Sequence, residues 1–96
     1  MKELKDTLAL MNSADFKERF SAEYYQLETR YLKLMDMLKK YKNKELTFTP
    51  KCSYGLLSRQ TRYMKEYLKV LIKRAEIESI ELDIDENIIN NFNLHK

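Results

Sequence analysis

The sequence predicts an all-α protein: an antiparallel two-helix hairpin with a coiled-coil seam, a short N-terminal arm and an acidic C-terminal tail, assembled into an oligomer. Three observations carry that expectation. The 96 residues hold a single Gly, a single Pro and a single Cys, too few turn-formers for an all-β fold. Two long stretches repeat apolar residues at alternating steps of three and four, the spacing that keeps side chains on one face of a helix. The link between them is short, which favours helices that fold back on each other. The expected divisions are an arm over 1–12, a hairpin over 13–78 and a tail over 79–96.

In the arm, Leu4, Leu8 and Met11 share helical spacing, and an amphipathic piece this short is stable only when docked. Asn12 and Ser13 interrupt it and are candidate N-caps for the next helix, with Asp15 placed where a negative charge complements the helix dipole. Phe16, Phe20, Tyr24, Leu27, Tyr31, Leu34, Leu38 and Tyr41 then recur at coiled-coil spacing, predicting a helix over 13–44. The stretch Lys39 to Glu45 closes it. Pro50 keeps Thr49 out of helical geometry, and Thr49 or Ser53 can cap the second helix.

That second helix, predicted over 53–78, carries more apolar surface than one partner can cover. One stripe is Leu57, Gln60, Met64, Tyr67, Leu71, Ala75 and Glu78, expected to meet the first helix. A second is Leu56, Tyr63, Val70 and Ile77 at strict sevens, which is left for another copy of the chain or a partner. Beyond it, Ile80, Leu82 and Ile84 alternate with Glu81 and Asp83, a period of two that predicts an extended segment packed across a neighbouring helix, ending in a helical turn or two over 85–92.

Charge is segregated along the chain. Ten basic and eight acidic residues give +2 over 1–50, seven against one give +6 over 51–74, and one against six give −5 over 75–96. A basic helix can hold an anion, track a nucleic-acid backbone or pair with a neighbour's acidic tail. Nucleic acid is disfavoured because the acidic tail offsets the helix and no docking motif is present. A lone Cys52 excludes an internal disulfide framework and, with no apolar run long enough to span a bilayer, points to a cytoplasmic protein without a membrane role.

Catalytic and cofactor signatures are missing. His95 is the only histidine, Cys52 has no neighbouring His or second Cys, and no phosphate-binding glycine loop or dinucleotide fingerprint occurs. Glu81, Asp83, Asp85 and Glu86 lack the glycine and terminal glutamate of a calcium loop. The expectation is a binding protein, not an enzyme, with no metal and no cofactor. Around the start of the second helix, Lys51, Tyr54, Arg59, Arg62 and Tyr63 combine cations with planar rings, and the amides of residues 53–56 lie at a helix N-terminus, where phosphate is favoured. The competing reading packs Tyr54 and Tyr63 into a subunit interface and leaves the arginines solvated. Tyr24 and Arg30 on the first helix form the alternative binding face, while the polar seam residues Tyr24, Tyr31, Gln60 and Tyr67 require hydrogen-bond partners if buried.

In the first helix, Phe16, Glu18, Arg19, Glu23, Tyr24, Leu27, Arg30, Lys33 and Leu34 form a pattern that resembles a family of small bacteriophage helical hairpins related to crAss-like phages. In the second helix it continues through Leu56, Leu57, Gln60, Met64, Tyr67, Leu68, Leu71 and Arg74, so that it spans residues 15–78. The link and the acidic tail depart from the family pattern. Small phage proteins of this size and helical character also include anti-defence sponges, oligomers that sequester nucleotide-derived immune signals. That analogy implies a cyclic nucleotide or ADP-ribose-type ligand, with a host protein as the alternative partner.

Overall fold

The computed structural model describes residues 4–94; His95 and the first three residues of the arm lie outside them. The order of elements is a 3-10 turn Leu4–Thr7, α1 Leu8–Met11, α2 Phe16–Lys42, α3 Tyr54–Ile77 and α4 Glu86–Asn91. No strand occurs among the described residues. The long helices α2 and α3 pack against each other, and the arm packs on α2.

Capping chemistry sets the helix ends. Asp15 caps α2, accepting from the Lys17 N–H at 2.9 Å. Neither expected cap, Asn12 or Ser13, takes that position; Ser13 supports the turn instead, its hydroxyl accepting from the Asp15 N–H and donating to Glu18. At α3, Ser53 is the cap and accepts from the Leu56 N–H at 3.1 Å. With glycine scarce, Lys44, Ser79 and Asn93 take left-handed φ values of 59°, 56° and 56°. In each case the next N–H reaches back five residues, from Glu45 to Lys40, Ile80 to Ala75 and Leu94 to Ile89. This is the closure that glycine usually serves.

The arm is held by a polar contact as well as by packing. Thr7 is fully buried, and the Gln26 amide donates to its hydroxyl at 3.0 Å. At the far end of the hairpin, Tyr41 and Tyr54 meet edge to face at 5.6 Å, joining the last turn of α2 to the first of α3.

The buried face of α3 differs from the expected stripe. Leu68, Leu71, Ile72 and Ala75 are buried with Thr61, whereas Gln60, Tyr67 and Glu78 are exposed. The inward face is therefore rotated toward Leu68 and Ile72, because the tail joins α2 in covering this helix. Ile80, Ile88 and Phe92 of the tail enter the same core. The tail crosses α2 in extended form, as the period of two predicts, and it is fastened by two backbone amides: Asp83 N–H donates to the Tyr25 hydroxyl at 2.8 Å, and Asp85 N–H to the Glu28 carboxylate at 3.1 Å. Phe92 completes the contact edge to face with Tyr31 at 5.7 Å. On α2, Phe16 is 45% exposed at the start of the expected seam, while Phe20, Tyr24, Tyr31 and Leu38 are buried.

Candidate functional site

Two adjoining grooves lie along α3, the second of them between α3 and α2, and no tail residue lines either. One, of about 510 Å³, is lined by Leu56, Arg59, Gln60, Tyr63, Met64 and Tyr67. The other, of about 380 Å³, is lined by Arg30, Lys33, Leu34, Met37, Gln60 and Met64. Gln60 and Met64 border both. They form a ridge between Arg59 on one side and Arg30 with Lys33 on the other, so residues from separate parts of the sequence converge on one surface.

Helical periodicity explains the convergence. Gln60, Tyr63, Met64 and Tyr67 lie three or four apart on α3, and Arg30, Lys33, Leu34 and Met37 do so on α2. The Tyr67 hydroxyl donates to the Glu23 carboxylate, tying the two helices beside the groove. That hydrogen bond, with a smaller contribution from burial, raises the Tyr67 pKa above its ordinary value, so the phenol stays neutral and a donor. Arg59 makes no ion pair among the described residues, leaving its guanidinium available to an anion.

Not every expected site residue joins this surface. Arg59 and Tyr63 line the first groove and Arg30 the second. Arg62 lies over the Tyr63 ring at 5.5 Å from its centroid without lining either groove. Lys51 is exposed in the link, and Tyr54 is engaged with Tyr41. The amide cluster expected at the start of α3 is reduced, since Ser53 takes the Leu56 N–H. Tyr24 requires correction. It is fully buried, and its hydroxyl donates to Glu28 at 2.7 Å, so it belongs to the core and cannot meet a ligand at the surface. Burial, reinforced by the Glu28 bond and charge, pushes the Tyr24 phenol far above its usual range.

Lys33, Gln60 and Tyr67 are additions to the expected site. Lys33 stands one turn from Arg30, a spacing that signals a shared face, while Gln60 and Tyr67 read from sequence as seam residues. A third groove, of about 630 Å³, lies between α3 and the tail and is lined by Glu76, Leu82, Asp83 and other residues. Its carboxylates disfavour an anion. No cluster of three or more residues suited to hold a metal ion occurs among the described residues, and no described helix is long and apolar enough to cross a membrane.

The Sequestin family model matches residues 14–77, two thirds of the chain. The chain belongs to the Sequestin family. The matched stretch contains both long helices and both grooves, stops short of the tail, and nearly coincides with the region that resembles the phage hairpins. The family name carries the sense of sequestering a molecule. No curated protein and no solved structure gives a significant match.

Proposed function

We propose that this protein binds and sequesters a small anionic, nucleotide-derived immune signal, acting as an oligomeric bacteriophage anti-defence protein in the cytoplasm of the infected bacterium. The observation that carries the reading is the convergence of Arg30, Lys33 and Arg59 with Tyr63, Tyr67 and Gln60 across adjoining grooves of the family-matched hairpin. Each component has a distinct task. Guanidinium groups offer paired donors to phosphate oxygens, and a lysine adds a point charge. A tyrosine face accepts a planar base, and an amide can both donate to and accept from a base edge. Groove volumes of this size fall in the range of small-molecule sites.

Capture without turnover requires no nucleophile or general base. It requires affinity and copy number. The candidate ligands are cyclic nucleotides and ADP-ribose derivatives, which combine phosphates with a base. The test is to incubate the protein with extract from cells producing such signals, wash it, denature it, and identify the released small molecule by mass spectrometry. An intact nucleotide is the expected result. Release of a hydrolysed product indicates an enzyme, and release of nothing contradicts the proposal.

A second reading, a helical module that binds or inhibits a host protein, is favoured by one observation: Leu56, Tyr63, Val70 and Ile77 are 50%, 63%, 56% and 72% exposed along α3. Such a module retains a defined host protein in pull-down and gains no thermal stability from nucleotides, whereas a nucleotide binder does gain it.

A further inference from the structure

The face that carries Arg59, Arg30 and Lys33 has a second pole of opposite charge. Tyr67 lines the first groove at the end away from Leu56 and Arg59, and its hydroxyl donates to the carboxylate of Glu23 on α2. The sequestering reading gives the cations and the rings a task. It leaves this carboxylate without one.

Helix geometry fixes the separation of the two poles. Arg59, Tyr63 and Tyr67 stand four residues apart on α3, so they share a face, and at 1.5 Å per residue Tyr63 lies about 6 Å along the axis from each of the others. The first long helix repeats the order. Glu23 precedes Arg30 and Lys33 by seven and ten residues, about 10 and 15 Å. The two helices run antiparallel, since Glu23 meets Tyr67 while Arg30 and Lys33 share a groove with Gln60 and Met64. Both therefore place their cations at one end of the face and the carboxylate at the other, with Tyr63 between.

We propose that Glu23 is a specificity-determining residue of this site, its carboxylate accepting a hydrogen bond from the exocyclic amine of the ligand's base while Arg59, Arg30 and Lys33 hold the phosphates. The inference rests on the sequestering reading and adds to it the orientation of the ligand and the class of base.

Charge sets the orientation. A phosphate beside Glu23 meets a like charge, whereas at the other end it meets three cations, so the ligand is accepted one way round. Its base then lies against the Tyr63 ring with the edge remote from the phosphates directed to Glu23. A carboxylate only accepts, and the donor that a base offers it is an exocyclic amine. A base without that amine leaves the carboxylate unpaired in the occupied groove.

Glu23 is available for this bond. It is exposed and makes no ion pair among the described residues. The Tyr67 hydroxyl occupies one of its oxygens, and a carboxylate has acceptor sites on both, so a second donor enters without displacing the first. Arg74, whose charge acts on Tyr67, is itself engaged by the Phe20 ring at 4.8 Å and by Glu78 at 3.8 Å. The tie to Tyr67 also orders the carboxylate at the groove before a ligand arrives, which lowers the entropic cost of binding.

The test is calorimetric titration of the full chain with ADP-ribose and with cyclic di-adenylate, each beside an analogue in which purine, lacking the amine, replaces adenine. Wild type is expected to bind at least one amine-bearing probe about tenfold more tightly than its analogue. Glu23→Ala abolishes that preference, and Glu23→Gln, whose amide oxygen still accepts, keeps part of it. The ratio within each pair is the readout, because losing a negative charge near the phosphates, or loosening a structural tie between the helices, moves both members alike. Glu23 is exposed, so the fold is expected to survive, and circular dichroism checks that it does. Tyr67→Phe provides a second variant that removes the tie, leaves the carboxylate and retains a preference in the same direction. A wild type that binds the paired probes equally, or a preference unchanged in Glu23→Ala, overturns the role of Glu23 and leaves the sequestering reading standing. A wild type that binds none of the probes contradicts the sequestering reading and this inference with it.

Discussion

Two groups of tyrosines at similar helical spacing meet opposite fates. On α2, Tyr24, Tyr25 and Tyr31 lie in the core, their hydroxyls or rings committed to Glu28, to the Asp83 amide and to Phe92. On α3, Tyr63 and Tyr67 remain 63% and 44% exposed. The difference comes from what lies above each helix. The tail is laid across α2, and it supplies apolar residues with backbone donors positioned to satisfy buried oxygens. On α3 the tail is absent from this side, and only the Tyr67 hydroxyl is engaged, by Glu23 of α2. One region is closed over by the tail and the other stays exposed.

Substitutions on either side of this contrast should differ in cost. The largest effect is expected from Ile88→Ala, which empties a fully buried tail position and should lower unfolding free energy by about 2–5 kcal/mol in urea denaturation. Ile77→Ala, on the exposed seam, should change the stability of the single chain by less than about 0.5 kcal/mol at dilute concentration. Equal costs would show that the seam is already covered within the chain.

Next is Tyr24→Phe. It removes the donor to the buried Glu28 and should cost about 1–3 kcal/mol, whereas Tyr63→Phe should be near neutral in the same assay.

The pH dependence isolates Glu28 itself. Burial holds its carboxyl above the usual range, although the Tyr24 hydroxyl and the Asp85 amide pull in the other direction. The folded state therefore favours the protonated form more than the unfolded state does. Its contribution is fully present below the unfolded pKa and is lost as pH rises through the folded one. Glu28→Gln should flatten this decline, with its largest relative gain above the folded pKa. An unchanged stability–pH profile would show that Glu28 contributes no such linkage. Smallest is Ser79→Gly, which relieves a left-handed residue at the end of α3 and should raise stability by about 0.5–1 kcal/mol in thermal melts.

Much of this architecture is legible in the residues. The lengths of α2 and α3, the Ser53 cap, and the extended tail leading into a short helix all come from periodicity and capping chemistry. The exposure of Leu56, Tyr63, Val70 and Ile77 comes from an apolar excess on α3. The rotation of α3 does not, because its two stripes lie on adjacent faces and spacing alone does not say which face the tail will help to bury. Thr61, Leu68 and Ile72 become inward residues for that reason. Tyr24 reads from sequence both as a polar seam residue that needs a partner and as part of an alternative binding face, and its burial against Glu28 selects the first. Arg59 is visible as a cation beside aromatic residues, but its neighbouring groove with Arg30 and Lys33 depends on the register of α2 against α3, which is fixed by tertiary packing.

The sharpest test of the sequestering role is calorimetric titration of ADP-ribose derivatives and cyclic dinucleotides into the wild-type chain and its Arg59→Ala variant, with sedimentation checking that the oligomeric state is unchanged. A charge-assisted hydrogen bond contributes roughly 1.5–3 kcal/mol, so the proposal predicts saturable binding of at least one nucleotide and a loss of about ten- to a hundredfold in Arg59→Ala. Arg62→Ala should lose less, because Arg62 lines neither groove. A wild type that binds no nucleotide would contradict the sequestering role, and affinity unchanged by both Arg59→Ala and Arg30→Ala would contradict its placement on this face.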